Sequence, residues 1–400
     1  MGGGALQATR PNLQLVVQSA SALSSDIGVN SILNPTGGVL TGTPFNVDVD
    51  VKNYGVDTVN TTTINWTFDG VPQTAYNYVG SLLPDSVTPS ITLGSKTVSL
   101  GSHHIVAWTD SVNGTFDGDI SNDTSSFSFY ACSSLLSGTY TIGGSTADYP
   151  TFNDAALALN QCGINGPVTF NIASGTYNEH FSLSPINGSS ATNTITFQSA
   201  SGDSSTVILA FDATGTVDNY VVELDGTPYI SFKNMTIEAQ DSTYARVFVL
   251  KNGVHDIALL NNVIKTTVGS TQDNDNMALI LSLDTIGLNI SIENNVLGNG
   301  SYAISLIGSL ASSNWTVKNN NIIGHYARGI HLESAVSTEI SGNKIYQDTV
   351  NSAAIYYGMY LIDNTGTPMI KNNKVLSRIS PIGFGIRMND CAYSQTSRGQ

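Results

Sequence analysis

The sequence predicts an all-β protein in which an immunoglobulin-like β-sandwich is followed by a parallel β-helix with one short capping helix at its start. Apolar and polar residues alternate through the first third of the chain, and two short motifs recur together through the last two thirds. Charged residues make up 11% of the 400 residues, against roughly 25% in an ordinary domain. Ser, Thr, Asn and Gly take their place, which is typical of exposed β-structure with many turns.

The sandwich is predicted over residues 11–131, after a flexible tail at 1–10. In FNVDVDVKN every second residue from Phe45 to Val51 is apolar, as in a strand with one buried face. In TINWTFDG the alternation recurs, and Asp69-Gly70 provides a hairpin turn. The runs VDVKNYGVDTVN, ITLGSKTVSLGSHHIVAWTD and DGDISNDT resemble CARDB-type adhesion modules. The resemblance covers most of residues 11–130 and implies an adhesion role.

A linker at 132–137 leads into the β-helix, which is predicted over 138–400 and is expected to continue beyond residue 400. Thr151 is placed to cap a short helix that begins at Phe152, has Asp154 in its first turn and ends at Cys162-Gly163. The strand GPVTFNI and the motif GTYNE follow. This order resembles the amino-terminal cap of right-handed β-helices of the pectin-esterase and pectate-lyase type, especially those of large proteins of type IX secretion systems. The resemblance implies a right-handed coil.

Two motifs keep step through the predicted coil. The first, N-x-x-apolar with one variant, begins at Asn234, Asn261, Asn294, Asn320, Gly342 and Asn372. The second, apolar-x-apolar, runs from VEL at 222–224 to IRM at 386–388. Two motifs that recur together indicate stacked turns of a repeat fold. Asn tolerates left-handed backbone, and stacked amides can bond to each other. We therefore predict a structural ladder of Asn262, Asn295, Asn321, Asn343 and Asn373.

The middle residues of the apolar-x-apolar motifs are predicted to form one outward column, because side chains alternate along a strand. In order they are Glu223, Val249, Ile280, Ser305, His331, Tyr360 and Arg387. The last three, flanked by Glu333 and Asn389, form a candidate glycan-binding stripe, since a ring beside Arg and amide groups suits sugars. Small residues beside the column are predicted to let a ligand approach the backbone: Ala278, Ala303, Gly329, Gly358 and Gly385. The alternative is an ordinary decorated β-surface.

No catalytic constellation is recognised, so the sequence favours a non-enzyme. Glycosidases need two carboxylates roughly 5–10 Å apart, and Glu223 has no acidic partner in its column. The chain also lacks the Gln/Asp/Asp/Arg set that the resemblance to pectin esterases would imply. Two alternatives stay open. One is a lyase or esterase whose catalytic residues lie outside this segment, and the other is a self-associating subunit of an extracellular filament.

An acidic loop in the sandwich is a candidate calcium site, with a solvated loop as the alternative. Its oxygen-bearing side chains are those of Asp110, Asn113, Asp117, Asp119 and Asp123, and calcium prefers such hard ligands. No other cofactor is expected. His103 and His104 are neighbours on a predicted strand and point to opposite faces, so they cannot share one metal.

The remaining features limit the partners and the location. Cys132 and Cys162 either form a bridge or stay buried thiols, and Cys391 is left over. A formal net charge of −15 argues against nucleic acid, because no basic stripe exists to neutralise phosphates. No run reaches the roughly 18 apolar residues of a membrane span. The sequence thus predicts a secreted or cell-surface adhesin or structural protein that binds glycans or matrix components.

Overall fold

A computed structural model describes residues 23–267, 269–309, 313–347, 353, 355–377 and 382–393. It confirms the predicted fold class, a β-sandwich followed by long parallel sheets with one α-helix before them. The first compact unit comprises the described residues up to Thr36 together with Pro44–Lys96 and His103–Ser128. The second comprises Gly37–Thr43, Thr97–Ser102 and the described residues from Phe129 onward. The tail predicted at 1–10 lies outside the described residues.

Nine strands open the chain: β1 Ile27–Asn34, β2 Val39–Leu40, β3 Phe45–Asn53, β4 Val59–Phe68, β5 Val71–Pro72, β6 Tyr76–Leu82, β7 Ile91–Lys96, β8 Gly101–Val112 and β9 Thr124–Cys132. Strands β1, β3 and β7 form one antiparallel sheet of the sandwich. Strands β2, β9, β8, β4 and β5 form the other in that order, and β6 also pairs with β4. The alternate apolar residues of β3 and β4 are buried, as the period of two predicts: Val47, Val49, Val51, Ile64, Trp66 and Phe68.

The second unit begins with β10 Leu136–Ile142 and α1 Phe152–Cys162. Thr151 caps α1 as predicted, because its Oγ1 accepts the main-chain N–H of Asp154 at 3.0 Å. Glu179, the last residue of the GTYNE motif, accepts the N–H groups of Phe152 at 3.0 Å and Asn153 at 2.9 Å. The motif therefore satisfies free donors at the start of the helix, and this fixes α1 onto the coil.

The cysteines that the sequence left undecided are bridged. A disulfide joins Cys132, at the end of β9, to Cys162, at the end of α1, with a Cα–Cα distance of 5.9 Å. Cys391 is free and half-buried. None of the helices in the described part of the chain has the length and apolar character needed to cross a membrane.

The coil repeats a set of three strands, interrupted by the 3₁₀ turn Asp275–Met277 and by the short pair β32 and β36. The strands are β11 Ile164–Ile172, β12 Gly175–Asn178, β13 Phe181–Leu183, β14 Ile195–Ser199, β15 Val207–Phe211, β16 Val222–Asp225, β17 Ile230–Lys233, β18 Thr236–Ala239, β19 Phe248–Lys251, β20 Ile257–Leu260, β21 Val263–Thr266, β22 Ile280–Thr285, β23 Ile290–Glu293, β24 Val296–Gly298, β25 Tyr302–Ile307, β26 Thr316–Lys318, β27 Asn321–Ile323, β28 Arg328–Glu333, β29 Glu339–Ser341, β30 Lys344–Tyr346, β31 Ile355–Ile362, β32 Thr365–Gly366, β33 Met369–Lys371, β34 Lys374–Leu376, β35 Ile382–Asn389 and β36 Ala392–Tyr393.

Corresponding strands of successive turns stack into three parallel sheets. The first sheet runs from β10 and β11 through every third strand to β29 and β33, the second from β12 to β34, and the third from β13 to β35. The core lies inside the coil, where one column of buried side chains follows the first sheet: Phe170, Phe197, Phe232, Leu259, Ile292, Val317 and Ile340. Its first rings stack, with centroids 4.8 Å apart between Phe170 and Phe197.

A ladder of buried asparagines lines the corner between the first and second sheets. Its members are Asn262, Asn295, Asn320, Asn343 and Asn373. The side-chain Oδ1 of each member accepts the main-chain N–H of the member one turn earlier, at 2.9 Å in all four steps. Each Nδ2 donates to a main-chain carbonyl of the first sheet one turn back, as Asn262 does to Phe232. The prediction of Asn321 was wrong, because Asn320 holds that position.

The error at Asn321 has a backbone cause. The residue before each ladder member has a positive φ, 56° at Asn261, 58° at Asn294, 54° at Asn319 and 68° at Gly342. Left-handed backbone and the ladder bond therefore belong to two successive residues and not to one. In the triplet 319–321 the first Asn makes the turn, the second joins the ladder, and Asn321 opens β27 opposite Lys344.

Replacement of Asn320 with Leu should destabilise the coil by about 3 kcal/mol, because it leaves buried backbone groups of Asn295 and Ile292 without partners. Asn321→Leu is the matched control, and its cost should stay below about 1 kcal/mol because its side chain lies outside the ladder. Urea unfolding followed by circular dichroism measures both. Equal destabilisation by the two variants would contradict the ladder assignment.

Candidate functional site

The predicted stripe lies on the outward face of the third sheet. His331 on β28 is the register partner of Tyr360 on β31, and Tyr360 is the partner of Arg387 on β35. Ser305 precedes them on β25. Parallel strands lie about 4.8 Å apart, so these four side chains follow one another along the coil axis.

The middle of this column is buried, although the sequence predicted a column that faces outward along its whole length. Val249 is 1% and His331 5% exposed. The register partner of Val249 is Leu281 and not Ile280, which pairs with Phe248 and faces the core. Because all four residues of the run ALIL at 278–281 are apolar, the sequence does not show which alternate side chains point outward. Leu281 packs outside the sheet in a cluster with Ala278, Tyr302, Ala327 and Ala353. Within the predicted stripe His331 is buried, and Tyr360 and Arg387 are partly accessible.

A second column runs beside the first on the same strands. Tyr302, Arg328, Tyr357 and Phe384 are successive register partners. The Tyr357 ring stacks on Tyr360 with centroids 4.6 Å apart and on Phe384 at 5.4 Å. Sequence reasoning missed this column because it lies outside the apolar-x-apolar motif. We call the two columns together the aromatic–arginine face, formed by Tyr302, Arg328, His331, Tyr357, Tyr360, Phe384 and Arg387.

Arg387 ties the accessible end of this face together. Its guanidinium carbon lies 5.6 Å from the ring centroid of Tyr357, 5.5 Å from that of Tyr360 and 5.1 Å from that of Phe384. Its Nη1 donates to Tyr357 Oη at 3.1 Å, and its Nε donates to Asn389 Oδ1 at 3.2 Å. Asn389 in turn donates from Nδ2 to Tyr360 Oη at 3.2 Å. The rings and the guanidinium are therefore held in one orientation before any ligand arrives.

The two flanking residues share a third column. Glu333 and Asn389 are joined in register through Ile362, so both lie on the edge of the aromatic–arginine face. Asn389 bonds directly to the face, whereas no hydrogen bond or ion pair of the Glu333 side chain is found among the described residues. Glu333 therefore leaves a half-buried carboxylate beside the rings.

Two of the small residues near the column, Gly329 and Gly358, have a different role from the predicted one. A Cβ built on Gly329 would lie 2.8 Å from Cγ2 of Ile345, a core side chain of the second sheet. A Cβ on Gly358 would meet Val375 in the same way. These glycines make room for core side chains at the corner between the sheets, and they do not open the backbone to a ligand.

His331 is uncharged at neutral pH. Burial, together with the nearby charge of Arg328, lowers the pKa of His331 to about 4. Its Nδ1 contacts Ser305 Oγ at 3.0 Å and Arg328 Nη1 at 3.4 Å. Since Arg328 can only donate, Nδ1 acts as the acceptor and Nε2 bears the proton. His331 is thus a neutral side chain that packs against the Tyr360 ring, with the two ring centroids 5.3 Å apart.

A carboxylate pair lies farther up the third sheet, and sequence reasoning missed it. Lys251 bridges Glu223 at 3.0 Å and Asp225 at 3.3 Å. Burial lowers the pKa of Lys251, but the two carboxylates raise it by more, so the pKa lies above its ordinary value. Lys251 thus stays charged and holds both acids in ion pairs.

A groove of about 400 Å³ runs over the outward face of the first sheet. Its floor consists of the register partners Thr196, Ser231, Ala258 and Ser291. Tyr229 and Lys233 also line it. The floor offers hydroxyl groups but no ring stack and no cation among aromatic rings, so the groove is a less specific surface than the aromatic–arginine face.

The acidic loop of the sandwich is arranged differently from the prediction. Asn113 is used in a turn, because its Oδ1 accepts the N–H groups of Asn60 at 2.7 Å and Thr61 at 3.1 Å. Asp110 is exposed. Asp26, which the sequence did not single out, is buried and accepts a hydrogen bond from Asn122 Nδ2 at 2.9 Å. Asn113 therefore already uses its oxygen in this turn, and calcium binding at the loop stays a prediction.

The comparisons with known proteins agree with the two resemblances found in the sequence. No family model and no curated protein matches the chain. The CARDB domain of a Pyrococcus furiosus protein, solved in complex with di-metal ions, is 22% identical over 28% of this chain and 97% of its own, with a TM-score of 0.24. The pectin methylesterase of Aspergillus niger is 14% identical over 66% of this chain and 89% of its own (TM-score 0.39), and a lacto-N-biosidase of Eubacterium ramulus is 10% identical over 64% and 68% (TM-score 0.39).

Acid should destabilise the coil through two buried histidines. Burial lowers the pKa of His325 to about 3 and that of His331 to about 4, from an ordinary value of 6.5. The unfolded chain therefore binds more protons below about pH 6.5, and the contribution of these groups to stability is lost as the pH falls toward 4. Unfolding midpoints measured from pH 7 to pH 4.5 should decline less in the double variant His325→Leu/His331→Gln than in the parent protein. Parallel declines would contradict this assignment.

Proposed function

We propose that this protein is a secreted or cell-surface adhesin that binds glycans at the accessible end of the aromatic–arginine face. The observation that supports this most is the continuous stack of Tyr360, Tyr357 and Phe384 with Arg387 hydrogen-bonded among the rings. The CARDB-like sandwich and a type IX secretion route would deliver and display this face outside the cell.

The chemistry of the face fits a sugar ring. The apolar faces of pyranoses pack on aromatic rings, while their hydroxyl groups need polar partners at the edge of the rings. Tyr357, Tyr360 and Phe384 are half-buried, so part of each ring remains accessible. Arg387 has five N–H donors, and among the described residues two of its nitrogens make hydrogen bonds, to Tyr357 and Asn389. The remaining nitrogen is available for hydroxyl oxygens.

The charge of the chain favours a neutral glycan. With a formal net charge of −15, the protein repels acidic polymers at long range. The half-buried carboxylate of Glu333 acts in the same direction close to the rings and offers an acceptor for sugar hydroxyls. Binding of a neutral sugar should therefore depend only weakly on salt.

A glycan array followed by calorimetry tests this proposal. Tyr360→Ala and Arg387→Ala should each weaken binding of the best neutral oligosaccharide about tenfold, equivalent to ~1.4 kcal/mol. The double variant Tyr346→Ala/Lys374→Ala is the matched control, because it removes a ring and a cation 5.8 Å apart on the second sheet. Its affinity should equal that of the parent protein.

Two results would contradict the proposal. Binding that survives both face variants but is lost in Lys233→Ala would move the site to the groove on the first sheet. Absence of binding to every neutral and acidic glycan on the array would leave the face without a ligand and favour a purely structural role.

Catalysis is not part of the proposed function. The carboxylates of Glu223 and Asp225 are both ion-paired with Lys251, and glycoside hydrolysis needs one acid that carries a proton. Incubation of the pure protein with pectin, polygalacturonate or alginate, with or without calcium, should release no reducing ends, unsaturated products or methanol. Sustained release that is abolished by Glu223→Gln and retained in Glu333→Gln would identify this protein as an enzyme.

A further inference from the structure

Carboxylates from two distant parts of the chain meet in the sandwich. Asp26 directly precedes β1, and Asp117, Asp119 and Asp123 belong to the segment between β8 and β9. Main-chain bonds fix the two parts together, because Val29 N–H donates to the carbonyl of Asp123 at 3.1 Å. Ile27 N–H donates to Asp117 Oδ2 at 3.0 Å. The fold therefore brings together acids that lie about 90 or more residues apart in the sequence.

Two oxygen atoms in this cluster are buried without a hydrogen-bond partner. They are Oδ1 of Asp123, whose residue is 8% exposed, and Oδ1 of the adjacent Asn122. Buried polar atoms in folded proteins nearly always have a partner, so an unpartnered pair next to further carboxylates indicates a missing cation or water. None of the ion pairs found among the described residues involves Asp26, Asp117 or Asp123, so no side chain in that part of the chain supplies the cation.

The electrostatics agree with a missing positive charge. The carboxylate of Asp123 is buried, and the negative charges of Asp117, Asp26 and Asp119 act on it. Ionised carboxylates that are shielded from water repel one another, and a bound divalent cation would offset this repulsion.

We propose that Asp123, Asn122 and Asp26 form a calcium site that ties the start of β1 to the segment before β9. The described residues contain no group of three His, Cys, Asp or Glu side chains that could hold a metal, so carboxylates alone do not complete a site. The amide oxygen of Asn122 supplies the third ligand. An all-oxygen set of two carboxylates and one amide, completed by backbone carbonyls and water, is the chemistry that calcium prefers over zinc.

The site is independent of glycan binding, since all of its residues belong to the first unit. Asp117 is not a first choice of ligand, because both of its oxygens already accept main-chain N–H groups, of Ile27 and Asp119. Asp119 is occupied by Ser121, whose N–H and hydroxyl both donate to its Oδ1. The two acids instead provide a negative field around the site.

Calorimetric titration of the full chain with calcium chloride, after treatment with a chelator, tests the proposal. We expect one site with a Kd of roughly 10⁻⁴–10⁻³ M, as in other extracellular modules, and much weaker binding of magnesium. Asp123→Asn and Asn122→Ala should each weaken calcium binding at least tenfold. Asp48→Asn, which removes one charge on β3 while leaving an oxygen to accept from Thr92 Oγ1, should bind calcium as the parent protein does.

Thermal unfolding separates a ligand from a structural role. In the chelator, Asp123→Asn should be at least as stable as the parent protein, because it removes one of several crowded charges. Calcium at 5 mM should raise the melting temperature of the parent and of Asp48→Asn but not that of Asp123→Asn. Calcium binding that persists unchanged in both Asp123→Asn and Asn122→Ala would overturn the proposal, and so would the absence of any calcium binding by the parent protein.

Discussion

The hydrogen bonding of the buried asparagine ladder is the constraint on which the coil depends. At the corner between the first and second sheets the backbone leaves N–H and carbonyl groups that the parallel sheets cannot pair. The amide side chains of Asn262, Asn295, Asn320, Asn343 and Asn373 pair them from one turn to the next. Because an amide oxygen must meet an N–H at 2.9 Å, each turn has one register relative to the next. A one-residue slip would break the ladder and bring core side chains to the surface.

The order of elements and most of the columns could be predicted from the sequence, because period-two patterns and recurring motifs depend on local spacing. The helix at Phe152–Cys162 and the register of His331, Tyr360 and Arg387 are of this kind. The failures occur where spacing is ambiguous. Three successive asparagines offer two registers, and only the left-handed backbone at Asn319 selects Asn320. The roles of Gly329 and Asp26 depend on contacts with distant parts of the chain, namely Ile345 and Asn122, and local patterns do not contain them.

The scarcity of charged residues makes their positions informative. On the coil, the half-buried acids Glu223 and Asp225 are both paired with Lys251. In the sandwich, Asp26 and Asp123 are buried with no cationic side chain bonded to them among the described residues. Burial of an unpaired carboxylate is costly, so the two arrangements differ in kind. The first is a closed ion network that stabilises a surface, whereas the second is the arrangement at which we propose that a cation from solution binds.

The separation of inside from outside explains how such a coil can acquire a binding face. Side chains alternate along each strand, so inward positions such as Phe232 and Met359 maintain the core while outward positions between them are free to vary. The ladder fixes the register, and the register fixes which outward residues become neighbours. Tyr357, Tyr360, Phe384 and Arg387 come from two strands, yet the Tyr357 ring lies 4.6 Å from Tyr360 and 5.4 Å from Phe384, and the guanidinium lies 5.1 to 5.6 Å from all three rings. Rigid strands hold this geometry more accurately than a loop would, so folding itself supplies the free energy that orders the face.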